Sequence, residues 1–504
     1  MKPGREPAAL EKKLTQGRFK LYFEYEKRAR SRAVGRRSQG RETNMGKLSR
    51  RSVLRTSLAV AAAGTLARPF IAHAQAKTAQ VWWVQGFVPE EDAAFQKLVA
   101  DYEKQSGNKI NYSIIPFQPM RQKIISAVTS GVVPDLIYAT PPEVVPLQAW
   151  EDRLVDVTDV VETQKSKILD IALASANCYN NVQKKRSYYG IPYEGSVVPF
   201  HIWGSLVEKA GYKTSDIPNK WDEFIDFFKP VQKKLREQGM RHTYATAFVV
   251  STIGNDPTNT FQQFMIAYGG EDIVTEDGKF NGKDPQVHEA VIKAVERLAG
   301  LFKDGYIPPS SINWNDADDN NAFHSKLCVM DFDGTLSTEL AMLRKQKDEL
   351  KEVITRGLPL TNDGKRMKPQ FGTNCMIIPK GAKNVDVGKD MAKYVIEPKI
   401  HAEYLKGGLG RWLPVMPELV KNDPWWTDTE QDTHRPPYVE EGFGGPVLPF
   451  YFIYNPAWAQ VRAEHPFNVA MHDVAAGGMT SQAAVEKAFK RIEEIFEKYQ
   501  IKAG

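Results

Sequence analysis

Between residues 80 and 138 the chain alternates two periodicities, and this alternation restricts the fold more than any other feature. Residues 80–86 (QVWWVQG) are rich in β-formers and end at Gly86. Over 89–106, Phe95, Leu98, Val99 and Tyr102 recur at i, i+3, i+4 and i+7, the spacing of a helix with one buried face. Residues 109–117 (KINYSIIPF) read as a second strand. Met120, Ile124 and Val128 mark a second helix that stops at Gly131, and Asp135-Leu136-Ile137-Tyr138 reads as a third strand. Strand–helix–strand–helix–strand predicts a parallel, doubly wound α/β start. Ligands of such sheets bind beyond the carboxyl ends of the strands. Those ends carry Trp83 and Gln85, Phe117 and Gln118, and Tyr138 and Thr140. Trp82 and Trp83 are adjacent on a strand, so only one of them can face a site.

Charge divides the chain. It holds 67 Lys and Arg against 61 Asp and Glu. Residues 1–76 hold 18 against 5, which leaves 49 against 56 in the remainder. The body is therefore acidic, and the usual argument for a nucleic-acid partner disappears. The basic front end reads as an export signal. Arg50-Arg51 precedes an alanine-rich apolar stretch over 58–66, and Ala72-His73-Ala74 and Ala74-Gln75-Ala76 are small-x-small cleavage candidates. The arginine pair resembles a twin-arginine signal, with Val53 where Phe is usual. No Cys lies near the cut, so no lipid anchor is expected. Residues 45–76 are expected to be the signal peptide. Residues 1–44 read as a disordered tail or as an extension upstream of a start at Met45. No run of 18 apolar residues exists, which excludes a multi-span membrane protein. The three cysteines, Cys178, Cys328 and Cys375, sit among apolar or small residues and read as small buried hydrophobes. No Gly-rich phosphate loop, HExxH or Gly-x-Ser-x-Gly elbow is present, and the nine histidines form no ligand-spaced set. His288 reads as surface. No cofactor and no metal are expected.

Further along, Tyr189-Gly190-Ile191-Pro192-Tyr193-Glu194-Gly195 is extended and suits a chain crossing between lobes. A mostly helical region follows to about 350. Residues 368–379 (KPQFGTNCMIIP) form a second extended segment. Val485, Phe489, Ile492 and Phe496 line one face of a closing helix capped by Thr480 or Ser481.

Six segments in this order resemble the extracellular solute-binding proteins of ABC importers, specifically the carbohydrate-binding group. They are SGVVPDLIYA (130–139) after the opening unit, YYGIPYEG (188–195), SLVEKAGY with IPNKWDEFIDFFKPVQK (205–233), AYGGEDIVTEDGKFN (267–281), NAFHSKLCVMDFDGT (321–335) and DVAAGGMTSQAAVEKAFKRIEEIF (473–496). The resemblance spans about 77–504. It departs at Leu336, where many relatives have a sugar-stacking Trp, and at His201 and Trp203, where relatives have a Tyr-Tyr-Asn run.

The resemblance implies a two-lobed periplasmic-binding-protein fold, each lobe a doubly wound α/β sandwich, joined by hinge crossover strands. Lobe 1 is expected over 77–190 plus about 372–405, and lobe 2 over 194–370 plus about 406–504. It implies a soluble, monomeric periplasmic protein that captures a sugar, oligosaccharide or polyol between the lobes and delivers it to a membrane permease. Candidate ligand contacts are Trp83, Gln85, Phe117, Tyr138 and Thr140 from lobe 1, and Tyr193 and Glu194 from the crossover. Lobe 2 offers Asp256, Asp331 and Asp333. The return segment offers Thr373 and Asn374, and beyond it lie Arg411 and Trp412. Each aromatic could equally be core, and Asp333 could simply serve the turn before Gly334.

An enzyme is the alternative. VMDFDGTL (329–336) also resembles the first motif of haloacid-dehalogenase-like phosphohydrolases, in which Asp331 would be the nucleophile, Asp333 the general acid, and Mg²⁺ required. That chemistry needs a second acidic pair at another strand end. Asp386 and Asp390, the close pair downstream, open a helix instead.

Overall fold

In a computed structural model of the chain, residues 77–139 and 142–501 are described. The expected signal peptide (45–76), the extension (1–44) and Thr140 lie outside them. Strands β1 (Thr78–Val84), β2 (Lys109–Ile115) and β3 (Leu136–Ala139) pair in parallel with β1 in the middle, and the helices Pro89–Ser106 and Phe117–Ser130 are the crossovers. In the first helix, Glu90, Glu91 and Asp92 meet the positive end of the helix dipole, and Gly107, at φ 74°, ends it. A hairpin of β4 (Asn177–Asn180) and β5 (Lys185–Tyr188) leads to β6 (Ile191–Ser196). The chain continues through β7 (Phe200–Trp203), β8 (Tyr244–Thr246), β9 (Cys328–Phe332) and β10 (Val353–Arg356). It returns as β11 (Gln370–Ile377), β12 (Leu413–Pro414) and β13 (Leu448–Pro449).

Two sheets result. The first runs β12-β6-β11-β3-β1-β2, with β13 joined to β11, and β11 is antiparallel to both β3 and β6. The second runs β10-β7-β9-β8 and is antiparallel except between β8 and β9. Each sheet has its own large core. Trp83, Phe95, Tyr193 and Trp426 sit in the first. Trp203, Trp221, Phe264 and Trp458 sit in the second. Trp221, Phe224, Ile225, Phe228, Val231 and Leu235 form the buried stripe of the helix Trp221–Glu237. The closing helix Ser481–Phe496 buries Val485, Phe489 and Ile492, and the Thr480 side chain caps it by accepting from the Ala483 N–H. The three cysteines are buried and free.

The extended segments 188–195 and 368–379 belong largely to the first sheet, and the steps between sheets follow β6 and precede β11. Residues beyond 405 also pack in the first core. Leu413, Val415, Trp426 and Tyr438 are buried in the first core because β12 pairs with β6 at Gly195 and Glu194. The second core resumes at Tyr451. Leu336 and Leu340, which follow β9 of the second sheet, also enter the first core. Leu336 thus packs between the lobes where relatives were expected to carry a stacking Trp.

His201 of β7 is fully buried. Its Nδ1 lies 2.6 Å from a Glu339 carboxylate oxygen, and its Nε2 lies 3.1 Å from the Asp333 carbonyl oxygen. Two acceptors call for two N–H donors, the imidazolium form. Burial alone would lower its pKa, but the charge and hydrogen bond of Glu339 outweigh it and raise His201 to about 9. Burial likewise disfavours the Glu339 carboxylate, and His201 outweighs it, lowering Glu339 to about 2.

This packing can be tested at two points. A Cβ on Gly195 would lie 2.3 Å from the Phe371 ring, so Gly195→Ala should cost about 1–3 kcal/mol of stability. An unchanged denaturant midpoint would show that the strand contact is not tight. Because His201 has a raised pKa, its contribution is complete below about pH 6.5 and is lost as pH climbs through about 9. Glu339 adds stability above about pH 4.5 that is lost only as pH falls through about 2. Unfolding free energy should therefore drop between pH 6.5 and 9.5 by on the order of 2 kcal/mol. The drop should vanish in a His201→Gln/Glu339→Gln double variant. An equal drop in that variant would remove the pair as its cause.

Candidate functional site

Where the chain passes between the sheets, a cavity of about 510 Å³ opens, with walls from both lobes. This is within the roughly 300–1,000 Å³ range of small-ligand pockets. Its first wall is built at the ends of β1 and β2. Trp83 forms part of the floor, stacked between Phe95 (centroids 4.3 Å apart) and Tyr138 (4.8 Å), with its indole N–H donating to the Tyr404 hydroxyl at 3.3 Å. Only 2% of Trp83 is exposed. Beyond it Gln85, Phe87 and Phe117 turn outward, and the two phenylalanines keep 39% and 38% of their surface exposed.

Arg411 and Trp412, just before β12, complete this wall. The Arg411 guanidinium lies over both the Phe87 ring (5.2 Å) and the Trp412 ring (4.7 Å). It donates to both oxygens of Glu91 at 3.2 Å, and Trp412 Nε1 donates to the same carboxylate at 3.2 Å. Glu91 is held in turn by the N–H groups of Phe87 and Val88. Arg411 Nε also reaches across the lobes to the Thr335 hydroxyl at 3.2 Å. Thr335 has φ 67°, a region that costs a β-branched residue strain. Arg344 spans the lobes as well, donating from Nε to Glu90 at 2.9 Å.

The second wall is polar. Asp256 opens the helix Asp256–Ala267, Asn320 lies in the helix Asp318–His324, and Asp333 follows β9. One Asp333 oxygen accepts from Asn320 Nδ2 at 2.6 Å, Ser337 Oγ at 2.6 Å and Thr338 Oγ1 at 3.4 Å. The N–H groups of Asn255 and Asp256 donate to Asp316 at 2.6 and 3.2 Å. Gly254, at φ 96°, allows that approach, since a Cβ there would meet Asp316 Oδ1 at 2.3 Å. Arg462 is 3% exposed, donates to Gln262 at 3.0 Å and Asn259 at 3.2 Å, and leaves Nε without a partner among the described residues. Burial and the neighbouring carboxylates Asp316 and Asp319 push Asp256 well above the ordinary carboxylate range.

Of the residues singled out from the sequence, Trp83, Gln85, Phe117, Tyr138, Asp256, Asp333, Asn374, Arg411 and Trp412 line this cavity. Four others stand behind its walls. Tyr193 is fully buried and stacks on His401 at 4.9 Å, a core position in the first lobe. Glu194 is also fully buried; it accepts from the Tyr138 hydroxyl and, at 3.4 Å, from Asn374 Nδ2, and burial raises its pKa well above the ordinary value. Thr373 is 1% exposed because the pleat turns it away from the face that Asn374 presents. Asp331 is 1% exposed and accepts from the Phe332 N–H at 2.8 Å. Burial, reinforced by the Asp333 charge, pushes it up to about 8. Thr140 is outside the described residues.

Sequence reasoning passed over Phe87, Glu91, Asn320 and Arg462. Phe87 was within reach, two residues past Gln85 on the same strand end. Glu91 looks like an ordinary first-turn helix acid, and Arg462 like a surface charge on the helix Ala457–Glu464. Nothing in their local sequence marks either for the cavity.

Known proteins share this architecture. A family described as bacterial extracellular solute-binding protein matches residues 97–433. No curated protein sequence matches. Among solved structures, a solute-binding protein of an ABC transporter from Thermotoga lettingae, bound with α-D-tagatose, is similar at TM-score 0.70 and 19% identity, covering 83% of this chain and 100% of that one. Maltose-bound MalE3 of T. maritima is similar at TM-score 0.66 and 16% identity, covering 83% and 100%. A sugar transporter protein from Arthrobacter chlorophenolicus, with bound laminaribiose, is similar at TM-score 0.65 and 17% identity, covering 83% and 99%. At such identities these likenesses speak for the fold: two lobes of α/β architecture. The family match covers well over half of the chain, and the chain belongs to the bacterial extracellular solute-binding protein family.

Proposed function

We propose that this protein is the periplasmic solute-binding component of an ABC importer and that its solute is a sugar, oligosaccharide or polyol. The observation that carries this reading is the pairing of unlike walls across one cavity. Rings of Phe87, Phe117 and Trp412 face the carboxylates and amides of Asp256, Asn259, Gln263, Asn320 and Asp333. A sugar ring presents C–H faces to aromatic rings and a rim of hydroxyls to charged and amide groups. The sugars bound by the three similar structures support the same class.

A ligand touching both walls favours the closed arrangement of the lobes to the extent that it binds that arrangement more tightly than the open one. The proposed lobe 1 runs from 77 to about 196 and from about 371 to 445. Lobe 2 takes the intervening stretch and the C-terminal helices. The closed monomer would present both lobes to the membrane permease. Export through the proposed signal over 45–76 would carry it to the periplasm. Among the described residues no helix is long and apolar enough to cross a membrane. No catalysis is proposed. A phosphohydrolase would need Asp331 open to substrate, and Asp331 is buried behind the wall.

Thermal unfolding of residues 77–504 against a panel of sugars, polyols, sugar phosphates and amino compounds tests the reading. A solute at 100 times its Kd should add about 2.7 kcal/mol, a shift of a few degrees. Trp412→Ala should weaken binding of that solute by roughly 10–100-fold, about 1.4–2.8 kcal/mol. A panel with no carbohydrate response, or a Trp412→Ala variant with full affinity, would remove the carbohydrate reading.

A further inference from the structure

The polar wall holds more carboxyl groups than a neutral sugar would use. Asp256, Asp319 and Asp333 come from two helices and a strand end, and each places a carboxylate oxygen within 4.8 Å of the others. Their exposures are 8%, 1% and 6%. Among the described residues, no Lys, Arg or His forms an ion pair with any of the three; the pairs nearby engage Glu339 and Glu91 instead. The Arg462 charge acts on Asp256 and Asp316, yet its terminal nitrogens are taken by Gln262 and Asn259.

Two of the three carboxylates are held in place from behind. Asp333 Oδ2 takes the donors of Asn320, Ser337 and Thr338, and Asp319 Oδ1 accepts from the Asn320 N–H at 2.9 Å. Asp256 differs. It is nine-tenths buried, it lines the cavity, and no hydrogen bond from a described residue reaches its carboxylate. Asp331, two residues before Asp333, keeps its buried Oδ2 without a partner among the described residues. When ionised, carboxylates at this spacing in a dry wall repel strongly unless a cation joins them.

We propose that Asp256, Asp319 and Asp333 bind one calcium ion, open on the side of the cavity. The donors are all hard oxygens, with no imidazole or thiolate among them, which favours calcium or magnesium over zinc. Calcium takes six to eight oxygen ligands in flexible geometry, whereas magnesium demands a near-ideal octahedron and keeps its waters. Three protein carboxylates leave positions for water or for solute hydroxyls. The ion needs no solute in order to bind, so this inference stands apart from the carbohydrate reading.

The test is calorimetric titration of sugar-free, EDTA-treated residues 77–504 with CaCl₂. One ion per chain is expected, together with a rise in Tm. Asp256→Asn and Asp319→Asn should each weaken it at least tenfold, while Asp363→Asn, on a remote turn, should not. A wild-type crystal soaked in CaCl₂ should show anomalous density among the three carboxylates, which keeps the test independent of variant folding. No heat and no Tm shift at millimolar CaCl₂ would overturn the proposal. So would full affinity in the Asp256→Asn/Asp319→Asn double variant, or a response to glucosamine hydrochloride without one to CaCl₂. Sugar binding that survives EDTA treatment in any of these cases would leave the carbohydrate reading intact.

Discussion

β6 and β11 lie side by side in one sheet, and the chain beyond their inner ends passes at once into the other lobe. That adjacency determines where everything else can be. Ser196, Gln370 and Gly372 line the cavity because they stand at the crossing. The strands tolerate such closeness through two glycines: Gly195 lies against the Phe371 ring, and Gly372 against Ser196 and the Phe450 ring. The third connection, through β13, adds Phe450 to the same lining. A cavity formed at the crossing has a wall from each lobe by construction, so a ligand there can sense their relative position.

The two walls differ in chemistry because different elements build them. Strand ends of a parallel sheet offer exposed rings and a pinned carboxylate, Glu91, that orients Arg411 and Trp412 together. Helix starts and the turn after β9 offer amides and carboxylates. Arg411 joins the two, touching Glu91 in one lobe and Thr335 in the other. Thr335 is held in the left-handed region at that contact. Strain concentrated at a contact between the two lobes fits a position whose geometry matters to function.

Much of the first lobe was legible in sequence because its elements are long, periodic and locally capped. The helix over 89–106 and the strands around it declare themselves by spacing, and in the second lobe so does the helix that Thr480 caps. Strand-end reasoning likewise reached Gln85, Phe117 and Tyr138. Pairing between distant strands leaves no such local mark. β12 attaches residues 413–439 to the first core through two residues paired with β6, a link that composition does not reveal. The same limit explains Glu194 and Tyr193. Their extended segment was visible, but burial from both sides by β11 and β12 was not. Asp331 and Asp333 look alike in sequence, yet one faces donors and the cavity while the other has an oxygen sealed inside.

A crystal structure of residues 77–504 with the solute that raises thermal stability would decide whether the crossing cavity is the binding site. A carbohydrate should lie in that cavity, stacked on Trp412 or Phe117 and hydrogen-bonded to Asn320 or Asp333 from the opposite lobe. A solute bound elsewhere, or held by one lobe alone, would refute the two-wall reading.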